Sequence, residues 1–200
     1  MSTLRNFLLS TRRAIPYNAI PYNAIPRRAT SAQGMPLFKV PQPYRHWLFD
    51  AGSLTKRLQD ISHQQFQVSV LQQYQGRATL EEQRALSLPS RTSPFIREVE
   101  LLCHGEPWVF ARTVIPLTTL TGAAKTLTQL GTKPLGAALF NSADVSRGAI
   151  CVKQIHSSQL PTSQPIEPQW LWGRHSVFYI NQAPLLVNEI FLPNSALYST

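Results

Sequence analysis

Between Pro184 and Pro193 the chain reads Pro-Leu-Leu-Val-Asn-Glu-Ile-Phe-Leu-Pro, an apolar run holding a single ionisable side chain. A strand of Leu, Val, Ile and Phe is core material. An unpaired ionised carboxylate inside such a core costs several kcal/mol or is driven to neutrality. Strand alternation puts Val187, Glu189 and Phe191 on one face and Leu186, Asn188 and Ile190 on the other. Glu189 therefore points to solvent, has a buried partner, or serves chemistry. A second run has the same anomaly with the opposite sign. Phe95-Ile96-Arg97-Glu98-Val99-Glu100-Leu101-Leu102 sets Arg97 into a β-like segment just ahead of a Gly-Glu-Pro-Trp turn at 105–108. One arginine and one glutamate on apolar strands make either a pocket for a small anion or a structural ion pair.

At 200 residues, 43% hydrophobic and 10% aromatic, the chain fits one globular domain with room for a core. No apolar run reaches the roughly 18 residues that a membrane-crossing helix needs, so stable membrane insertion is not expected. Cys103 and Cys151 are too few and too far apart for a disulfide scaffold or a zinc site, and read as buried free thiols of a reducing cytosol. The net charge of +9 invites a nucleic-acid reading. Part of that excess lies in Arg5, Arg12, Arg13, Arg27, Arg28, Lys39 and Arg45, all ahead of the first acid, Asp50. The rest is scattered, with no helix-turn-helix, RNP or zinc-finger pattern, so nucleic-acid binding is not expected. A mildly positive surface also suits a dianionic small molecule.

Residues 14–26 repeat Ala-Ile-Pro-Tyr-Asn, and their prolines forbid regular helix or central strand. Residues 1–40 are expected to be a flexible, basic, proline-containing extension, with the domain over 41–200. Within it, Tyr44 to Asp60 suggests helix, with Ser53 as a candidate cap of a second turn. The segments 66–71, 97–102, 108–115, 149–155, 170–180 and 185–192 read as strands, and 80–88, 118–130 and 134–140 as helices. Gly131 ends the second of these helices, since glycine tolerates the left-handed cap. The stretch 156–169, rich in Ser, Pro and Gln, is a loop. Hairpin-spaced strands with intervening helices indicate an α+β fold: a single domain on a mainly antiparallel β-sheet with flanking helices.

Familiar catalytic patterns are missing. The five histidines show neither HEXXH spacing nor a paired metal pattern, Ser176 and Ser195 lack a nucleophile elbow, and Gly131 to Gly136 lacks the ending of a phosphate loop. No metal site is expected. Trp170 and Trp172 share a strand face and read as packing residues.

Seven stretches occur in order: Ser53-Leu54-Thr55-Lys56-Arg57; Ile96-Arg97-Glu98-Val99; Gly105-Glu106-Pro107-Trp108; Ala111-Arg112-Thr113-Val114-Ile115-Pro116; Leu130-Gly131-Thr132-Lys133-Pro134-Leu135-Gly136; Leu171-Trp172-Gly173-Arg174-His175-Ser176; and Pro184 through Tyr198. Each is weak alone, but the ordered set resembles the chorismate lyase (chorismate pyruvate-lyase) family. The resemblance implies that family's α+β fold and a cytoplasmic, monomeric, cofactor-independent lyase. Its substrate would be chorismate and its products 4-hydroxybenzoate and pyruvate, the first committed step of ubiquinone biosynthesis. It also implies site residues. Arg97 would hold the ring carboxylate, with an ion pair to Glu98, Glu100 or Glu106 as the alternative. Leu54 and Leu135 would offer backbone N–H groups to the same carboxylate, both leucines otherwise reading as ordinary core. Glu189 would meet the ring hydroxyl. Lys133 and Arg112, considered for the second carboxylate, read as structural or solvated. Because the product keeps the groups being gripped, tight product retention is expected. The reading from another class is a non-catalytic small-ligand-binding module of the same fold.

Overall fold

The computed structural model describes residues 34–140 and 145–199. The Ala-Ile-Pro-Tyr-Asn repeat lies outside them. Packing begins ahead of Pro41: the Met35 N–H donates to Val152 O at 2.7 Å, and Val40 is buried in the core.

Seven strands build one antiparallel sheet: β1 (Phe66–Gln75), β2 (Phe95–Cys103), β3 (Glu106–Ile115), β4 (Val145–Arg147), β5 (Cys151–His156), β6 (Trp170–Ile180) and β7 (Ala183–Phe191). The spatial order is β1-β2-β3-β7-β6-β4, with β5 also pairing β6. The α+β architecture expected from the hairpin spacing is therefore present. Two of the hairpins close on tight turns in left-handed backbone, His104-Gly105 (φ 54° and 79°) and Asn181-Gln182 (φ 47° and 68°). The first shifts the expected turn back by one residue, so that Pro107 sits within β3. It is tolerated there because the register slips at Leu101/Leu102, and a bulge spares the missing N–H.

The expected helix over 44–60 is two helices, α1 (Gln42–Leu48) and α2 (Leu54–Ile61). Ser53 caps the second, its Oγ accepting from the Lys56 N–H at 3.3 Å. Thr79 opens α3 (Leu80–Ala85) in a capping box with Glu82. The stretch expected as helix over 118–130 is a 3-10 helix, Gly122–Gln129. Gly131 follows it at φ +53°, and α4 (Leu135–Phe140) comes next. The three-residue β4 was not anticipated, being too short to show alternation.

Both faces of the sheet are buried. One carries Val68, Val99, Leu101, Ala111, Trp172 and Phe191, which pack against Trp47, Leu48, Leu54 and Leu58 of α1 and α2. Its other half joins Ile115, Phe178, Leu185 and Val187 to Leu127 and Leu139. The opposite face is covered at one end by the α3 region, through Ala78 and Leu86 on Val114 and Leu186. At the other end Leu160 and Ile166 of the 156–169 loop lie on Phe110, Leu171 and Ile190. Glu100 ties that loop down, accepting from Ser163 N–H at 2.8 Å and Ser163 Oγ at 2.6 Å. The loop thus lies across the sheet from α1, α2 and α4.

Candidate active site

A cavity opens between the helix-covered face and the starts of α2 and α4. Arg97, Val99, Ala111, Thr113, Phe178, Val187 and Glu189 line it from the sheet; Ser53, Leu54, Thr55, Pro134, Leu135 and Gly136 line it from above. The run that sets Arg97 among apolar residues thus buries a cation against a cavity wall: Arg97 is 2% exposed. Its Nη1 donates to Gly131 O at 2.9 Å and to Gln73 Oε1 at 3.3 Å, and Nη2 donates to Lys133 O at 3.2 Å. The acceptors are all neutral. Burial, with no carboxylate to offset it, pushes this guanidinium's pKa down from its ordinary value. The three acids considered as partners are engaged elsewhere: Glu98 with Arg112, Glu100 with Ser163, and Glu106 with Asn194. The ion-pair alternative for Arg97 is therefore overturned, because Glu98 and Glu100 alternate onto the other face. The two carbonyls are met by Nη1 and Nη2, one each. The Nε–H is without a partner among the described residues, so the Nε/Nη2 edge can take a planar oxyanion side-on.

Leu54 and Leu135 are the first residues of α2 and α4. N–H groups in a helix's first turn have no intrahelical acceptor, and both residues line the cavity with Arg97. Gly136 lets the two helix starts meet. A Cβ there would lie 2.6 Å from Thr55 Oγ1 and 3.3 Å from Ser53 Oγ.

Glu189 stands across the cavity. Its strand pairs with β3 through Ala111, while Arg97 pairs with Thr113. From ordinary strand spacing and rise, the two Cα atoms are roughly 12 Å apart, enough for both side chains to flank a six-membered ring. Of the three readings of Glu189, the structure supplies the buried partner and also sets the residue on the cavity wall. Arg174, directly opposite on β6, is 1% exposed and donates from Nε to Glu189 Oε2 at 2.6 Å. Glu189 also lines the cavity, and its Oε1 accepts no hydrogen bond among the described residues. Arg174 in turn donates from Nη1 to Trp47 O at 2.9 Å and Asp50 O at 2.7 Å, carbonyls exposed by the break between α1 and α2. Arg147 lies nearby on β4. Its Nε donates to Ser176 Oγ at 3.0 Å, and its guanidinium stands 5.0 Å from the Phe178 ring centroid.

Sequence reasoning missed Arg174 and Arg147. Arg174 lies within the quoted Leu171-to-Ser176 stretch, and pairing β6 with β7 through the 181–184 turn would have placed it against Glu189. Arg112 lies on the other face, held by Glu82 (2.8 Å) and Glu98, so its structural reading is right. The Lys133 side chain is exposed; the cavity residue Arg97 uses only its carbonyl. Trp172 is buried against Tyr44, whereas Trp170 is 38% exposed and meets His156 edge-on. Cys103 is buried, its thiol pushed up to about 11 by burial, but Cys151 is only half-buried. Among the described residues no His/Cys/Asp/Glu group has metal-binding geometry.

Residues 25–200 match the family model described as chorismate lyase. The chain belongs to the chorismate lyase family. Among curated relatives, a probable chorismate pyruvate-lyase of Psychromonas ingrahamii is 40% identical over 161 residues, covering 76% of this chain and 83% of the relative. One from Pseudomonas aeruginosa is also 40% identical, over 74% of this chain and 82% of its own length. Among solved structures, PhnF from Mycobacterium smegmatis aligns with a TM-score of 0.50 at 13% identity, over 72% of this chain and 65% of that one. That likeness concerns the fold alone. The family resemblance carried by the seven ordered stretches is borne out, and the chorismate lyase family model spans every element of the sheet.

Proposed function

We propose that the protein is a chorismate pyruvate-lyase, converting chorismate to 4-hydroxybenzoate and pyruvate as the first committed step of ubiquinone biosynthesis. The observation that carries the reading is the pairing, across one cavity, of a buried arginine free of carboxylate partners with a glutamate whose outer oxygen is open. Arg97 takes the ring carboxylate on its Nε/Nη2 edge, and the Leu54 and Leu135 N–H groups donate to the same carboxylate. Glu189 Oε1 accepts from the ring hydroxyl while Arg174 holds Oε2, so the carboxylate cannot rotate away.

In the reaction the bond between the ring and the enol-ether oxygen breaks. The hydrogen on the hydroxyl-bearing ring carbon is lost, and the departing enolpyruvate gains a proton to become pyruvate. Aromatisation drives the change, so the protein's work is to hold the dianion in a reactive pose away from water. The product keeps both groups that the site grips, which supports slow product release. A monomer, as the family resemblance implies, is part of this reading. The two free cysteines support a cytoplasmic setting.

The test is to incubate the purified protein with chorismate and follow both products, beside a no-protein blank and Glu189→Ala. Equimolar 4-hydroxybenzoate and pyruvate above the blank, lost in Glu189→Ala, is the expected result. Folded protein that binds 4-hydroxybenzoate but forms neither product would identify a ligand-binding module instead.

A further inference from the structure

The cavity face holds more positive charge than its own carboxylate balances. Among the described residues, Arg97, Arg174 and Arg147 stand there against Glu189 alone, and nearby Asp50 is paired with Arg57 at 3.1 Å. Within that set two positive charges are left over, which suits a ligand with two carboxylates. Arg97 accounts for one of them.

Where the second carboxylate falls follows from the substrate's connectivity. The enol ether is attached to the ring carbon next to the one bearing the hydroxyl. With the ring carboxylate at Arg97 and the hydroxyl at Glu189, the side-chain carboxylate must lie beside Glu189, at the end of the cavity away from Arg97. Three cationic side chains stand near that end. Arg174 is fully buried, its Nε and Nη1 taken by Glu189, Trp47 O and Asp50 O. Arg57 is engaged by Asp50 and lies 3.6 Å from the Trp47 ring centroid. Arg147 differs from both. It is half-buried, and its Nη1 makes only long bonds to Ala51 O (3.3 Å), Gly52 O (3.4 Å) and Asp50 O (3.5 Å). Its Nη2 has no hydrogen-bond partner among the described residues.

Arg147 is also well placed. It faces Phe178 across the β4–β6 pair, and Phe178 lines the cavity. The 50–52 carbonyls that it touches immediately precede Ser53 and Leu54, also in the lining. Burial pushes its pKa down, and Glu189 is the strongest of the charged neighbours acting against that shift. We infer that Arg147 receives the enolpyruvyl carboxylate of the substrate, exchanging its long bonds to the 50–52 carbonyls for a charge-assisted one. The inference rests on the lyase reading and assigns the half of the substrate that leaves as pyruvate.

The product lacks that carboxylate, so substrate and product separate the possibilities. Arg147→Gln keeps a polar side chain without the charge, and Arg147→Lys keeps the charge. Initial rates with chorismate and calorimetric titration with 4-hydroxybenzoate are the two readouts. Arg147→Gln is expected to lower kcat/KM by about ten- to a hundredfold, the scale of one charged hydrogen bond. Arg147→Lys should recover part of that loss, and 4-hydroxybenzoate affinity should stay within about twofold for both variants. A parallel fall in product affinity would overturn the inference, since Arg147 would then be shaping the shared cavity. Unchanged kcat/KM in Arg147→Gln, or no recovery in Arg147→Lys, would overturn it as well. If the unmodified protein forms no 4-hydroxybenzoate, the lyase reading fails and takes the inference with it, a result distinct from any outcome confined to the variants.

Discussion

The two faces of the sheet bury charge in opposite ways. On the face under α3, Arg112 is closed on every side: Glu82 accepts from its Nε and Nη2, and Glu98 and the Tyr74 hydroxyl accept from Nη1. Asn188 donates to Glu82, and Gln72 to Glu98. These residues follow the strand register, Gln72–Glu98–Arg112–Asn188, as one row across four strands. Burial alone would raise the Glu82 carboxyl, but the hydrogen bonds and charge of Arg112 hold it below its ordinary 4.5. On the cavity face, Arg97 has neutral acceptors and an open edge, and Glu189 has one oxygen held and one free. A buried charge whose partners are all supplied by the chain is architecture. One that is left a partner short marks where a ligand belongs.

Opening the closed row has the largest expected effect. Arg112→Ala leaves two buried carboxylates unpaired and should cost about 3–5 kcal/mol of stability, read as a lower midpoint in urea unfolding. Arg97→Ala should do the reverse. Its stability should change by no more than about 1 kcal/mol, because no carboxylate is stranded, while 4-hydroxybenzoate affinity drops by about 2–5 kcal/mol in calorimetry. Similar stability losses in both variants would erase the distinction between the faces.

A smaller effect sharpens it. His175 extends the row beyond Asn188, and its buried Nδ1 has no hydrogen-bond partner among the described residues; Glu81 Oε1 lies 3.8 Å away. Burial, with the Lys153 charge, pushes its pKa below the ordinary 6.5, against the pull of Glu81 and Glu82. The unfolded chain therefore takes up a proton near 6.5 while the folded imidazole stays neutral. Stability from this group is complete above 6.5 and declines as the pH falls below it, by at most about 1.4 kcal/mol per unit, until the folded imidazole protonates. Unfolding measured at pH 7.5, 6.5 and 5.5 should show this slope, and His175→Asn should flatten it. An unchanged slope in the variant would assign it to other groups.

The sequence made some of this legible and concealed the rest for physical reasons. Glu189 and Arg97 were visible because a charge in an apolar run contradicts its surroundings, and strand alternation put Glu189 with Val187 on the correct face. The closed row was not visible: Arg112, Glu82 and Glu98 each sit in ordinary polar surroundings locally, and only strand pairing brings them together. Arg174 was hidden likewise, fifteen residues from Glu189 in the chain and its neighbour only across the β6–β7 hairpin. The break at 49–53 was only half legible: Ser53 marked the start of a second turn, but Tyr44 to Asp60 keeps a plausible helical spacing of Trp47, Leu48, Leu54 and Leu58 that hid the unwound residues before it. The break nonetheless supplies the carbonyls for Arg174 and the start of α2.

The Asn181-Gln182 turn sets more than a change of direction. With only two residues between β6 and β7, it fixes which β6 side chain stands beside Glu189. A residue added there, if taken up as a one-place slide of β6, would bring Gly173 or His175 opposite Glu189 in place of Arg174. The spacing of the Arg174–Glu189 pair is in this sense counted out at a surface loop seven residues from either partner, and length variation at that loop should be far less tolerable than within 156–169, which lies on the other side of the sheet.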